Sequence, residues 1–404
     1  MLLLSIPILT DVVIILALSI PVILLLHYLK LPSIVGFLLT GVLAGPYVLE
    51  LITEQEHIDT LAEIGVILLL FTIGMEFSVP NLLKIKRSVL LGGGLQLLLT
   101  TTAFGCITYF RDYEDLSISL FYGFLCTLSS TAIVLKILQL RGEMKTAHGQ
   151  TILAILIFQD IAVVPAMLLL PMINSDTEES IGMKMLLALL KAIGIIILLI
   201  ILSKYVIKWF LDLVVSTRST ELFISTIVVF CFSIAYLTNL AGLSLALGAF
   251  LAGLVLSESK YAHKASEIVL PFKEIFTSIF FVSIGMLMDV NFFMNNVAQI
   301  LIYTLESILV QAVMAYIAIR LLGMSNKTAL LTAIGICQIG EFAFILAKSG
   351  IEVGLMPVEL YQYFLAMSVL TMAFAPILIF NSSIIITILS KIKTRAKIRA
   401  RAAR

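Results

Sequence analysis

The sequence predicts an all-α polytopic membrane protein with thirteen transmembrane helices, twelve of them paired as two inverted six-helix repeats. Three observations carry this prediction. The 404 residues are 61% hydrophobic and only 13% charged, about half the charged fraction of a soluble protein, and the mean hydropathy is +1.13. Apolar runs of about 20 residues, each long enough to cross a bilayer, recur along the whole chain. The chain also matches itself after a shift of 211 residues, as when Glu63 falls on Glu274.

In chain order the runs lie at 5–28, 32–49, 57–77, 86–109, 117–140, 147–171 and 184–210, then at 218–238, 241–256, 268–288, 296–320, 327–350 and 359–390. The first is long enough to span and runs into Lys30 without a cleavage site, so it is expected to be a helix and not a removable signal. The run at 241–256 is short, and the last is long enough to tilt or to leave the bilayer. Basic residues alternate from side to side. One set of loops carries Lys30, Lys84, Lys86, Arg87, Arg141, Lys145, Arg218, Lys260, Lys264, Arg320 and the tail from Lys391. The opposite set is mainly acidic, with Glu50, Glu54, Glu56, Asp59, Glu114 and Asp115. The excess of positive charge on cytoplasmic loops places the N-terminus outside and the C-terminus inside a cell (inner) membrane. The basic tail has a second reading, attraction to anionic lipid headgroups.

The repeat sets the domain plan. Ile73-Gly74-Met75 falls on Ile284-Gly285-Met286, Ala162 on Ala373 and Pro165 on Pro376, while GFLLTGVLAG (36–45) resembles GAFLAGLVLS (248–257). The expected divisions are a first repeat at 1–171, a linker helix at 172–217, a second repeat at 218–390 and a basic cytoplasmic tail at 391–404. Span one runs inward and span eight outward, so the halves are related by inversion, and a site is expected near the midplane where they meet.

Gln159-Asp160 lies in the middle of the sixth run, TILAILIFQDIAVVPAMLLL. An ionisable group near a bilayer centre costs roughly 3 kcal/mol on insertion scales, and it persists where it faces a wet cavity or a partner. Asp160 is therefore a candidate for holding an ion or a proton; the alternative is a carboxylate that ties two helices together. Two other runs look interrupted. The fifth has a hydroxyl cluster at its centre, Thr127-Leu128-Ser129-Ser130-Thr131, and the twelfth has Gln338-Ile339-Gly340-Glu341. The repeat lays Ser130 on Glu341. Interrupted helices in corresponding positions mark transporter sites, because half-helix ends leave backbone groups free for ions. At 1.5 Å per residue, Ser130, Asp160 and Glu341 all fall roughly 20 Å from their helix starts, near the midplane.

In this order and spacing, LLLFTIGMEF, SSTAIVLKILQLRG, FQDIAVVP, FFVSIGM and QIGEFAFILAKSG resemble the membrane domain of the second monovalent cation:proton antiporter family, and within it the Kef-type potassium efflux transporters. The resemblance implies a sodium/proton antiporter-like fold, with a dimerisation domain and a core domain of crossed, unwound helices, and hence a homodimer. It implies that Asp160 binds the monovalent cation and the proton, with Gln159, Ser130 and Thr131 beside it. Ser129, Gln338, Gly340 and Glu341 then support the crossover. Kef-type relatives continue into a nucleotide-binding regulatory domain. The fingerprint of such a domain does not follow here, so that domain is expected to be separate or missing.

One carboxylate neutralised in turn by H⁺ and by a cation is sufficient for exchange. The expectation is electroneutral 1:1 K⁺/H⁺ antiport by alternating access, and the neutral oxygen of Gln159 suits weakly hydrated K⁺. Na⁺/H⁺ antiport is the alternative, and an organic-anion symporter or a channel of similar fold are the rivals. An enzyme is not expected, because H-E-x-x-H, G-x-S-x-G and paired catalytic aspartates are missing. No cofactor or nucleic-acid partner is implied. Cys106, Cys126, Cys231 and Cys337 lie in apolar runs without metal-type spacing. The remaining intramembrane acids, Glu76 and Glu306, are expected to form interhelical hydrogen bonds. Glu63 and Glu274 are candidates for entry funnels. Glu341 is expected to act structurally or in gating, by binding half-helix N–H groups or by pairing with Lys136 or Lys348.

Overall fold

A computed structural model describes residues 7–52, 55–76, 88–111, 113–173, 194, 208–240, 244–257, 259–382 and 384. The predicted seventh span lies outside these residues except for residue 194 and its last three, as do the side chain of Glu76 and the basic tail.

All regular structure among the described residues is helical. The first elements are α1 (Pro7–Tyr28), α2 (Ser33–Ala44), α3 (Gln55–Glu76), a π-helical turn (Ser88–Gly93) and α4 (Gly94–Arg111). Next come α5 (Leu116–Thr127), α6 (Thr131–Leu140), α7 (Ala147–Ile173), α8 (Lys208–Ser216) and α9 (Thr220–Leu240). The chain continues with α10 (Leu245–Ser257), α11 (Ala262–Met286), α12 (Val290–Asn295) and α13 (Val297–Leu321). It ends with α14 (Asn326–Gly335), α15 (Glu341–Glu352) and α16 (Val358–Phe380). Among the described residues, nine stretches are long and apolar enough to cross a membrane, counting α5 and α6 as one.

Two predicted spans are corrected. The second was expected over 32–49, but α2 stops at Ala44. Pro46 has no N–H to continue the helix, and the chain turns back so that the Leu49 and Leu51 N–H groups cap the Leu43 and Ala44 carbonyls. The tenth was expected to begin at 268, but α11 begins at Ala262 and carries Pro271 inside it.

The helices form two compact units, each drawn from separate stretches of the chain. The first takes residues 1–25, 36–84 and 162–290. Its centre is α3, packed against α10 and α11. Glycines set the approach distances. A Cβ at Gly285 of α11 would meet the Leu38 carbonyl and lie 3.0 Å from Gly41 Cα of α2. A Cβ at Gly253 of α10 would meet the Phe71 carbonyl and lie 3.0 Å from Gly74 Cα of α3. In a membrane, where lipid tails are as apolar as leucine, such close backbone contact is a main source of helix–helix affinity. Ile15, Ile58, Ile279 and Val282 pack alongside. Polar contacts join the same helices: Ser283 donates to Asp59 at 2.5 Å, and buried Asp11 of α1 lies 4.0 Å from His57 Nδ1. Glu63 and Glu274 are both exposed.

The second unit takes residues 26–35, 85–161 and 291–404. Here α4 pairs with α5, and α13 packs on α4, α14 and α16. Glu306 forms an ion pair with Arg111 at 2.6 Å, and that guanidinium also sits 4.7 Å from the centre of the Tyr303 ring. The partner of this intramembrane acid is therefore an arginine at the end of another helix.

The α6–α7 connection is tied down at Glu143, which binds Arg141 at 2.8 Å and His148 at 3.1 Å. Arg141 also donates to the Ile379 carbonyl at 2.6 Å. Partial burial pushes the Glu143 carboxyl upward, but hydrogen bonds and charge from His148 and Arg141 outweigh it and hold the group below its ordinary 4.5. A carboxyl depressed by folding stabilises the native state above its unfolded pKa, and loses that contribution as pH falls through the folded value. Glu143→Gln should therefore lower the thermal stability at pH 7 by less than about 1 kcal/mol, since the group is only half-buried. The gap to wild type should close below pH 4.5. Melting curves in detergent at pH 7 and pH 4 check both parts, and an equal gap at the two values would contradict the assignment.

Candidate functional site

The second unit contains two interrupted helices, α5/α6 and α14/α15, and their breaks touch. The first break is Leu128-Ser129-Ser130, with Leu128 and Ser130 in extended conformation. Serine hydroxyls compete with helical hydrogen bonding and favour N-caps. Ser130 follows this rule: its side chain accepts from the Ile133 N–H at 3.3 Å and starts α6. The second break is Ile336 to Gly340. Gly340 N donates to the Leu128 carbonyl at 2.7 Å, and the Ser129 hydroxyl donates to the Ile336 carbonyl at 2.8 Å. Each break thus satisfies backbone groups that the other has released, as the bilayer interior requires.

Gly340 is required by this crossing. A Cβ there would lie 2.5 Å from the Ser129 carbonyl carbon and 2.7 Å from Ser130 N. Gly340→Ala should cost about 1–3 kcal/mol, the usual range for overpacking, and reduce exchange in proportion. A wild-type melting temperature for this variant would show that the crossing yields without cost.

Gln159 and Asp160, adjacent on α7, do different work. Gln159 is 1% exposed. Its Oε1 accepts from Ser129 N at 2.9 Å, and its Nε2 donates to the Thr127 carbonyl and to Gln96 Oε1, both at 2.9 Å. This amide closes the backbone gap on either side of Leu128. Asp160 is half-buried and receives the Thr131 hydroxyl at 3.0 and 3.2 Å from its two oxygens. Thr131 is the first residue of α6, so the carboxylate addresses the positive end of a half-helix, where negative charge is stabilised.

Glu341, the first residue of α15, is 6% exposed. Its Oε1 accepts from Ala132 N at 3.4 Å. It therefore binds a half-helix N–H group, and among the described residues the alternative pairing with Lys136 or Lys348 is not formed. Two carboxylates thus address consecutive residues of the same helix start, Asp160 at Thr131 and Glu341 at Ala132. Gln338 is completely buried within the second break. The predicted residues Ser129, Ser130, Thr131, Gln159, Asp160, Gly340 and Glu341 are linked directly or through the crossing.

Three participants were missed in the sequence. Gln96 of α4 is fully buried, accepts from Gln159 and donates to Thr100 Oγ1 at 3.2 Å. Gln311 of α13, also fully buried, donates to the Cys126 carbonyl one residue before the end of α5. Thr371 of α16 accepts from Ile339 N at 3.2 Å in the second break. For the two glutamines a signal is present in the sequence, since a buried amide in an apolar run is costly unless hydrogen-bonded.

Broken helices that cross beside a carboxylate in an apolar helix are a feature of the sites of secondary transporters. Residues 13–381 match the sodium/hydrogen exchanger, transmembrane family, and the chain belongs to it. It is 35% identical over 353 residues to K(+) efflux antiporter 4 of Arabidopsis thaliana, covering 86% of this chain and 59% of that protein. It is 32% identical over 351 residues to the glutathione-regulated potassium-efflux system protein KefC of Escherichia fergusonii, covering 87% of this chain and 56% of that protein. The chain thus spans somewhat over half the length of these relatives. In fold it is similar to the sodium proton antiporter MjNhaP1 of Methanocaldococcus jannaschii, with a TM-score of 0.68 and 17% identity over 93% of this chain and 96% of that one. The motif resemblance is borne out at the level of the family.

Proposed function

We propose that the chain is a monovalent cation/proton antiporter that exchanges K⁺ for H⁺ at Asp160. The observation that carries this reading is the Asp160 carboxylate at the start of α6, held by the Thr131 hydroxyl. Its two oxygens and the Thr131 oxygen offer a cation hard ligands, and the carboxylate alone can take a proton instead. Occupation by one excludes the other. An Asp160 carboxylate without proton or cation is charged and crosses a low-dielectric barrier poorly, so each crossing transfers either one H⁺ or one cation. The stoichiometry is 1:1 and the cycle electroneutral, because the neighbouring position holds the neutral Gln159. K⁺ is preferred over Na⁺ in this reading because the most similar relatives named above are potassium efflux antiporters. Na⁺/H⁺ exchange is the second reading, favoured by the fold of the archaeal sodium proton antiporter.

The finer architecture belongs to the same proposal: thirteen spans in two inverted repeats, 1–171 and 218–390 joined by a linker helix, in an inner membrane with the N-terminus outside. The glycine contacts support the repeat. Aligning 36–45 with 248–257 and shifting α3 by 211 residues takes Gly41 to Gly253 and Gly74 to Gly285. The contact of Gly41 with Gly285 then becomes that of Gly253 with Gly74, the other close pair. A homodimer and alternating access complete the proposal.

Proteoliposomes with an imposed pH gradient test it. Addition of K⁺ should dissipate the gradient, more effectively than Na⁺ or Li⁺, and clamping the membrane potential should leave the rate unchanged. Dissipation by Na⁺ alone would favour the second reading. A potential-dependent rate would exclude 1:1 exchange.

A further inference from the structure

We propose that Gln96 is a positioning residue for the exchange site, acting through Gln159 on the segment that presents Thr131 to Asp160; this rests on the K⁺/H⁺ reading above. The direction of every bond in the chain is fixed by the backbone. Ser129 N–H can only donate and the Thr127 carbonyl can only accept, so the Gln159 amide has a single possible orientation. Its oxygen faces Ser129 and its nitrogen faces Thr127. The second N–H of that nitrogen then needs an acceptor, and Gln96 Oε1 supplies it at 2.9 Å. Gln96 must therefore turn its own nitrogen away, toward Thr100 Oγ1 at 3.2 Å. The result is a chain in which donation runs one way, from Ser129 N–H in the first break through Gln159 and Gln96 out to Thr100.

Both glutamines are at least 99% buried, so water does not readily replace a missing partner. Ser129, which hangs on Gln159, is two residues from Thr131, whose hydroxyl holds Asp160. A tilt of the Gln159 amide therefore shifts the hydroxyl that would meet the cation. Gln96 touches neither Asp160 nor Thr131 in any bond described above. Its action is on the placement of a ligand, while the proton-accepting atoms of Asp160 are left intact.

The test compares full-length variants in proteoliposomes, with K⁺ as the cation and with melting temperatures in detergent measured in parallel. Gln96→Met keeps the volume but removes the acceptor. It should raise the half-saturating K⁺ concentration about tenfold, the lower end of what loss of an outer-shell partner costs a bound ion, while the maximal rate changes less. Because H⁺ and K⁺ compete for one carboxylate, a tenfold weaker cation is offset by a tenfold lower proton concentration. At fixed K⁺, the acid limb of the rate profile should therefore move up by about one pH unit. Gln96→Glu retains an acceptor for Gln159 and should restore the half-saturating concentration to within about threefold of wild type. A purely structural role would lower melting temperature and active fraction but leave the half-saturating concentration and the pH profile in place, and that result would overturn the proposal. An equal rise in the Met and Glu variants would overturn it too, since the acceptor would then not matter.

If Gln96→Met does not fold, Thr100→Val, which removes only the outer link, takes its place: a smaller rise supports the proposal and an unchanged value overturns it. Asp160→Asn separates this inference from its basis. Exchange surviving in that variant removes the functional reading itself, whereas lost exchange with an unshifted Gln96→Met profile removes only the role of Gln96.

Discussion

Asp160→Asn is expected to abolish exchange while leaving the protein folded. The amide keeps the shape of the carboxylate and can still accept from the Thr131 hydroxyl, but it carries no charge and takes no proton. At 4 Å and an effective dielectric near 20, a unit charge attracts a monovalent cation by about 4 kcal/mol. Losing that attraction weakens cation binding about a thousandfold, since every 1.4 kcal/mol is a factor of ten. Proton transport fails for the separate reason that no titratable group is left at the position. The folded state should persist, because the amide is isosteric with the carboxylate and keeps the bond to Thr131. The measurements are K⁺-driven dissipation of a pH gradient and the melting temperature. Exchange above about a tenth of the wild-type rate, in a variant of normal stability, would mean that the exchanged ions bind elsewhere.

The asymmetry between Asp160 and its neighbour was only half legible in the sequence. The cost of an ionisable group in lipid singled out Gln159-Asp160, and the hydroxyl cluster and the Gly-Glu pair marked both breaks. These signals are local, and each depends on a few adjacent residues with the wrong chemistry for a continuous apolar helix. What the sequence could not display is which way each side chain leaves its helix. Successive residues point about 100° apart on a helix of 3.6 residues per turn. Gln159 and Asp160 are therefore neighbours in the chain but address different partners, the first break and the start of α6. The neutral oxygen expected for K⁺ is engaged by Ser129 N–H.

Long-range pairing was equally hidden. Glu306 stands out in the sequence as an intramembrane acid, but its partner Arg111 lies 195 residues away. Gln96 and Gln311 sit in helices with no break, so the amide itself is their one local signal and their partners are not legible: Gln311 meets the Cys126 carbonyl, and Gln96 reaches the first break through Gln159. Asp11 lies inside the first span, is 3% exposed and comes within 4.0 Å of His57 Nδ1, a residue 46 positions away in sequence. Composition marks the nine long apolar stretches among the described residues, but not the end of α2, because a Gly45-Pro46 turn is as apolar as the helix before it.

The geometry also reverses what a second acid at position 159 should do. Judged by charge alone, Gln159→Asp adds a second proton carrier and makes exchange potential-dependent. In the structure, the Gln159 amide donates two hydrogen bonds and accepts one, and a carboxylate donates none when ionised. Aspartate is also one methylene shorter, so it would not span from α7 to Ser129. The expected outcome is a destabilised crossing, with the Thr127 carbonyl and Gln96 Oε1 left facing a negative group. Gln159→Leu isolates the hydrogen-bonding part of this effect without the charge. It leaves Ser129 N–H, the Thr127 carbonyl and Gln96 Oε1 without their partner, and each buried unpaired group costs about 1–3 kcal/mol. A loss on the order of 5 kcal/mol is large for any single substitution, so the leucine variant should show a much lower melting temperature and little folded protein. The aspartate variant should be no better, and any exchange it retains should stay insensitive to potential. A stable Gln159→Asp protein with potential-driven exchange would require the amide to be dispensable to the crossing, and the separation of roles between residues 159 and 160 would then fail.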